Sequence, residues 1–289
     1  MGASSPRKGF SPEPTQTIYN KHGDLMIANY HTHTYRCHHA TGTEEEYIKT
    51  AINGGIKYMG FSDHIPCTNP DGSESRYRVY MDDRFNYSRK VLSLKEKYKD
   101  KIDIKLGYEA EYLPWAFDKM LEVCEETDAE YLILGQHIIG DEKGKEYVSI
   151  LNSDSEEKLE DYVRLVTEGM RTGYFSYVAH PDVINFTGDK EIYLKHMRKI
   201  CDASLETDVP LELNFLGIRD ERIYPNSDFW ELVGEVGCDV VYGFDAHSVK
   251  SAYDGESLKK AEEMREKYGL NVLEIPPIRD IRKMATKNS

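Results

Sequence analysis

A chain of 289 residues is too long for a small module and a natural length for one α/β barrel, a class that commonly runs to about 250 residues as a single domain. Its 51 Asp and Glu outnumber 37 Lys and Arg, for a net charge of −14, which disfavours nonspecific attraction to a phosphate backbone and so argues against a nucleic-acid partner. No apolar stretch approaches the roughly 20 residues of a membrane span, and the five cysteines, irregularly spaced, make neither a disulfide framework nor a zinc ribbon; a cytoplasmic protein with no membrane partner is expected.

Residues 1–24 are rich in Ser, Pro, Lys and Thr, lack the apolar core of a secretory signal, and read as an extension or tag-like tail; residues 25–289 read as one domain. Apolar runs then alternate with helix-like segments, the pattern of parallel strands joined by crossover helices. The first predicted strand, Leu25 to Tyr30, runs into His31-Thr32-His33. A helix over Thr43 to Asn53 starts at a capping-box pattern of Thr43 and Glu46 and stops at Gly54-Gly55. The second strand, Tyr58 to Ser62, runs into Asp63-His64. Pro66 to Asp83, with Asn69, Pro70, Asp71 and Gly72, has turn chemistry and is expected as a long loop able to cover a site. A helix over Phe85 to Lys99 follows, then a strand from Ile102 to Tyr108 that delivers Glu109, and a helix over Pro114 to Glu126. Strand Tyr131 to Gly135 leads to His137, helix Glu156 to Arg171 follows, and strand Tyr174 to Ala179 leads to His180. Helix Glu191 to Thr207, strand Leu211 to Asn214, helix Ser227 to Val236 and strand Val240 to Gly243 complete the series, the last running into Asp245 and His247. The count is about seven strands.

One feature recurs along this series: a single imidazole or carboxylate sits where each β-favouring run gives way to a loop. In a parallel barrel the loops after the strands open on one face, so residues distant in sequence converge there. His31 and His33, one residue apart in extended chain, project to the same side and can grip one cation together. An H-x-H pair alone is a weak signal; the other strand ends give it weight.

The motifs are H-T-H-T at His31 to Thr34 followed by Cys37-His38-His39, S-D-H at Ser62 to His64, G-Y-E-A-E-Y at Gly107 to Tyr112, G-Q-H at Gly135 to His137, and H-P-D at His180 to Asp182. E-L-N-F-L-G-I-R at Glu212 to Arg219, Tyr224-Pro225 and G-F-D-A-H-S at Gly243 to Ser248 follow. Together they resemble the polymerase and histidinol phosphatase (PHP) phosphoesterases, particularly the histidinol-phosphate phosphatase branch, from about Met26 to Lys250. Phe244 stands where that family often carries Ser, and Ser62-Asp63 replaces a common Thr-Glu; neither change removes a ligand. The resemblance implies a distorted seven-stranded (β/α) barrel with two to three divalent metal ions (Zn, Mn or Fe) at the strand ends. By that likeness one metal takes His31, His33, Glu109 and Asp245, Glu109 bridges to a second held by His137 and His180, and a third takes His39, His64 and His247, with His38 the competitor of His39.

Imidazoles suit Zn, Mn or Fe, and a bridging carboxylate brings two cations close enough to share a hydroxide. Asp63 is read as an acceptor that orients a ligand imidazole, as a proton donor to the leaving alcohol, or as a strand-end carboxylate with local hydrogen bonds. Glu111 returns to the Glu109 side of its strand. A phosphate ester also needs cations for its nonbridging oxygens, and Arg219 is the leading candidate, with Arg36 and Arg222 behind it; Arg76 and Arg78 on the long loop are read either as closing over substrate or, by default, as solvated, and Cys37 is not expected to be a nucleophile. The expected activity is metal-dependent hydrolysis of a small phosphate monoester, L-histidinol phosphate, by attack of a metal-bridging hydroxide. The rivals are a PHP enzyme for phosphotyrosine, a nucleotide or another small ester, and a non-catalytic metal-binding regulatory domain.

Overall fold

The alternation of apolar runs and amphipathic segments folds as a curled parallel sheet wrapped by helices, seen in a computed structural model that describes residues 26–140, 146–150 and 152–285. The expected extension at residues 1–24, and Leu25 of the first strand, lie outside the described residues. In chain order the elements are β1 (Ala28–Asn29), α1 (Glu44–Gly54), β2 (Tyr58–Phe61), α2 (Arg84–Tyr98), β3 (Asp103–Ala110), α3 (Phe117–Thr127), β4 (Tyr131–Leu134), β5 (Ile138–Ile139) and β6 (Glu146–Tyr147). Then come α4 (Glu156–Arg171), β7 (Phe175–Val178), α5 (Lys190–Thr207), β8 (Leu211–Asn214), α6 (Phe215–Arg219), α7 (Ser227–Val236), β9 (Asp239–Gly243), α8 (Gly255–Tyr268), β10 (Asn271–Val272) and α9 (Arg282–Ala285).

The main sheet runs β1-β2-β3-β4-β7-β8-β9-β10, and every pairing in it is parallel. Closure is irregular. At its start β9 pairs with β10, whereas beyond its end Ala246 bridges Thr32, just after β1, through His33 N donating to Ala246 O at 3.0 Å. The chain is therefore tied back to its first strand at the end where the strands deliver His and Asp, the distorted barrel of the PHP type. The two-residue β10 and the antiparallel β5–β6 pair are too short to leave a run in the sequence, and the charged helix α8 follows the last element that the sequence predicts.

Side-chain alternation divides each strand between two environments. Leu132, Leu134, Val178, Val240 and Tyr242 pack outward in the large core under the helices, while Tyr131, Ile133, Tyr177, Ala179 and Val241 form a smaller inner cluster with Ala28 and Tyr30. Inside it the Tyr131 hydroxyl donates to the Tyr30 and Phe61 carbonyls at 2.8 and 3.2 Å, tying three strands together. Continued along β3 and β8, the same alternation turns Glu109, Glu212 and Asn214 inward. Helix α1 starts with Glu46 Oε2 accepting from the Thr43 N–H and hydroxyl, both at 2.8 Å, and ends at Gly55 with φ +94°, a left-handed conformation that glycine adopts without strain. No helix among the described residues is long and apolar enough to cross a membrane.

Candidate metal centre

The inner face of β3 presents Glu109, and five imidazoles delivered by other strand ends close around its carboxylate. Oε2 lies 3.3 Å from His31 Nε2, 3.2 Å from His33 Nε2 and 3.2 Å from His64 Nδ1; Oε1 lies 3.0 Å from His180 Nε2 and 3.5 Å from His137 Nε2. Asp245, after β9, brings Oδ1 to 3.5, 3.3 and 3.2 Å from His31, His33 and His247. His39 completes the set, its Nε2 3.0 Å from His247 Nε2. Every residue expected to ligate metal is thus in one cluster. His38 is not: it is exposed, has φ +63° and packs against the Tyr80 ring at 4.2 Å.

The fold yields in several places to make this cluster. His180 and Asp245 have φ +32° and +44°, a left-handed region where a side chain costs conformational energy and which concentrates at functional sites. A Cβ on Gly135 would overlap Glu109 Oε1, and one on Gly243 would overlap Glu212 Oε1, so the two carboxylates occupy space that only glycine leaves open.

Do these residues fit a cation? His31 Nδ1 is 2.8 Å from Glu212 Oε1, so its proton belongs there and its Nε2 lone pair faces Glu109 and Asp245. It also faces His33 Nε2 at 3.1 Å. Acceptors confront acceptors, and Asp245 Oδ1, His33 Nδ1 and His180 Nδ1 are buried with no hydrogen-bond partner among the described residues. Such an arrangement is stable only with positive charge at its middle. The electrostatics agree: burial lowers the His31 pKa, but Glu212, Asp245 and Glu109 outweigh it and lift it to about 10. Burial would push Glu109 and Asp245 up, yet the surrounding imidazoles hold both well below the usual carboxylate range. His64 and His39 are driven down by burial and by neighbouring imidazoles, His39 to about 4, and so offer neutral lone pairs. Groups such as His31, His33 and Asp245, or His33, His64 and His247, have donor atoms close enough to share one ion. Multivalent cations would replace the protons the cluster otherwise demands, so the donor set fits metal.

Above the cluster lies a cavity of 480 Å³ lined by His39, His64, Glu109, His137, His180, Asp245 and His247, and also by Tyr77, Arg78, Glu111, Leu216, Arg222 and Tyr224. That lining corrects several expectations. Arg219 does not line the cavity: Nη1 pairs with Asp254 at 2.8 Å, Nη2 donates to the Phe244 and Asp245 carbonyls at 3.5 and 3.4 Å, and the side chain lines a separate cleft with Lys250 and Lys260. Arg36 is held by Glu44 and Asp83 at 2.8 and 2.6 Å and does not reach the cavity. Arg222 takes the cavity position, its Nη1 donating to the Tyr224 hydroxyl at 3.4 Å. Arg78 is not a solvated loop residue; it is 7% exposed and pairs with Glu111 at 2.6 Å. Arg76 is exposed as expected.

Asp63 is fully buried, and its oxygens accept from Thr34 N at 2.7 Å and Thr34 Oγ1 at 2.6 Å. It braces the turn after His33, whose Nδ1 lies 3.9 Å away; burial raises its pKa to about 6 against the pull of His33 and Thr34. With both oxygens engaged and no surface on the cavity, it does not reach a leaving group, so the proton-donor expectation is corrected to a bracing role. Cys37 donates its thiol to Thr34 O at 3.0 Å. Glu212 was missed by the sequence reading. Besides His31, it accepts from the His180 N–H at 3.1 Å and from Asn214 Nδ2 at 2.8 Å, the carboxylate–imidazole arrangement that fixes a ligand's tautomer.

The family model of the PHP domain matches residues 29–216, well over half of the chain. The chain belongs to the PHP domain family. Asp245 and His247 lie beyond the matched residues, yet the bridge between Thr32 and Ala246 brings them to the same cluster. A probable histidinol-phosphatase of Deinococcus radiodurans is 27% identical over 230 residues, covering 76% of this chain and 86% of that relative. A probable histidinol-phosphatase of Schizosaccharomyces pombe is 22% identical over 252 residues, 77% and 81% of the two chains. Among solved structures, the histidinol phosphate phosphatase of Lactococcus lactis, in complex with zinc, L-histidinol and phosphate, superposes with a TM-score of 0.64 at 22% identity, covering 86% of this chain and 95% of that one. A putative histidinol phosphatase of Listeria monocytogenes gives a TM-score of 0.67 at 20% identity, covering 80% and 98%. At these identities the two structures establish the shared fold.

Proposed function

We propose that this PHP protein is a metal-dependent phosphate monoester hydrolase that converts L-histidinol phosphate to L-histidinol and phosphate. The observation that carries the chemistry is the cation-demanding cluster of Glu109, Asp245 and seven imidazoles on the floor of a 480 Å³ cavity, within the roughly 300–1,000 Å³ range of small-molecule sites. The substrate rests on likeness: two relatives are named probable histidinol-phosphatases, and the Lactococcus structure holds zinc, L-histidinol and phosphate. A small-molecule ester also suits a chain of net charge −14, which repels nucleic acid.

His31, His33, Glu109 and Asp245 would hold one ion, Glu109 with His137 and His180 a second, and His39, His64 and His247 a third, of zinc, manganese or iron. When bound, such ions supply Lewis acidity and bring the pKa of water down to about 7, so that a nucleophile is available at neutral pH. The protein's own residues do the rest. Glu212 fixes His31 with Nε2 toward the cluster. Asp63 holds the turn that carries His33. Arg222, beside Tyr224 on the cavity wall, offers guanidinium N–H groups to the nonbridging phosphate oxygens, and Leu216 and Val183 give the wall apolar surface.

The direct test is phosphate release by metal-quantified protein from L-histidinol phosphate beside phosphotyrosine, nucleotides and sugar phosphates. Histidinol phosphate is expected to give the highest kcat/KM, with the activity lost in His137→Ala. Arg222→Met is expected to raise KM about 10-fold, the effect of losing a charge-assisted hydrogen bond of about 1.5 kcal/mol, while Arg219→Met leaves KM near wild type. Preference for another ester would move the substrate and keep the chemistry; no turnover at full metal occupancy would leave a binding domain.

A further inference from the structure

The loop over residues 66–83 begins and ends against the metal face. It departs from His64-Ile65 and returns at Arg78-Val79, where Val79 N donates to His64 O at 3.1 Å and Arg78 Nη1 donates to Ile65 O at 3.3 Å. Arg78 Nη2 donates to Glu111 Oε2 at 2.6 Å. The other oxygen of Glu111 is 3.4 Å from His137 Nδ1, and His137 Nε2 faces Glu109 Oε1 at 3.5 Å. Arg78, Glu111, His137 and Glu109 thus form one contiguous chain, with each Glu111 oxygen assigned to a different neighbour. Arg78 and Glu111 are 7% and 3% exposed, so neither charge tolerates loss of the other.

We infer that Arg78 is a positioning residue: by clamping Glu111 it fixes the tautomer and direction of the His137 imidazole, and so sets how tightly the site of Glu109, His137 and His180 holds its metal. The inference rests on the metal centre proposed above and not on which ester is hydrolysed. His137 needs such a clamp more than its neighbours do. It lies between β4 and the two-residue β5, it keeps 22% side-chain exposure, and its ring also meets His64 and His180, at 5.2 and 4.8 Å between centroids, which pack the ring but do not choose its tautomer. Glu111 does: its Oε1, 3.4 Å from Nδ1, draws the ring proton to that side and leaves the Nε2 lone pair free. A guanidinium suits this role because its fork serves Glu111 and the Ile65 carbonyl at once; a lysine ammonium has no such fork. The consequence is that the covering loop is wired to the metal site through a buried ion pair, although no loop residue need ligate metal.

The test is chelator competition on the metal-loaded full chain without substrate, following each ion by its release. Arg78→Met and Glu111→Gln are each expected to weaken one ion of the set by about 10- to 100-fold, the range for outer partners of ligating histidines, and to leave the others bound. The double variant is expected to be no weaker than the weaker single, since the two residues act in series. Arg78→Lys is expected to recover part of the loss, and Arg76→Met, an exposed change on the same loop, none of it in the first place. Wild-type metal retention in Arg78→Met with a raised KM would overturn the inference and make Arg78 a substrate contact; additive losses in the double variant would overturn it too. Should Arg78→Met not fold, Glu111→Gln and Arg78→Lys carry the same comparison. A wrong ester leaves these readings untouched, whereas wild-type protein that takes up no metal would remove the centre itself.

Discussion

Two buried glutamates at opposite ends of the β3–β4 pair have opposite surroundings. Glu130, just before β4, accepts from Lys95 Nζ at 2.8 and 2.7 Å and from the Leu106 N–H at 3.1 Å, with Arg282 at 3.5 Å. Cations and a backbone donor complete it, and it joins α2, β3 and the C-terminal segment. Among the described residues, the Glu109 carboxylate at the other end meets imidazoles and no cationic side chain, and beside it Asp245 Oδ1, His33 Nδ1 and His180 Nδ1 go without hydrogen-bond partners. The first cluster is finished by the protein; the second asks for charge from outside. Burial alone does not mark a functional carboxylate, because both are buried. What marks it is acceptors facing acceptors with no cationic side chain among the described residues to reconcile them.

The largest effect is expected from Glu109→Gln, which keeps the shape and removes the central charge. Turnover and metal content should fall by more than about 100-fold, beyond the range for partners outside the ligand set, as measured by elemental analysis and phosphate release. Full metal retention would show that the cluster does not depend on this carboxylate and would break the comparison. Glu212→Gln comes next. It exchanges an acceptor at His31 Nδ1 for an amide that can present the wrong group, and chelator competition should show metal affinity down by about 10- to 100-fold. The smallest effect belongs to Glu130→Gln: thermal or urea unfolding should show a loss of about 1.5–3 kcal/mol, the range for hydrogen bonds to a charged group, with metal content and kcat unchanged. Loss of metal there would show that the two ends are coupled and that the division is too sharp.

Much of this division could be read before the fold was seen. The strands ending near His31, His64, Glu109, His137, His180 and Asp245 each leave a β-favouring run that stops at one polar residue, and a parallel barrel puts such ends on one face. Glu212 escaped because it lies inside its run. In Leu211-Glu212-Leu213-Asn214 the leucines face the helices and the polar pair faces the barrel interior; a carboxylate and an amide on the same side of a buried strand were the available signal. Of the two neighbours that the resemblance sets in competition, the structure brings His39 to His247 while His38 turns out to Tyr80.

The arginines show where sequence reasoning stops. Arg219 stands in a strong motif and Arg78 in a loop rich in turn residues, yet Arg219 is drawn to Asp254 and Arg78 is buried against Glu111. A long flexible cation goes to whichever carboxylate the fold brings near, and Asp254, Glu44 and Glu111 are 35, 8 and 33 residues from the arginines they hold. The order of strands, the alternation that sends residues inward or outward, and the inventory of side chains able to bind metal were legible in the sequence, because each of these is written in a short stretch of chain. Tertiary structure alone decided which charges are neutralised by the protein and which remain turned toward a ligand, because that balance depends on groups that meet only when the barrel closes.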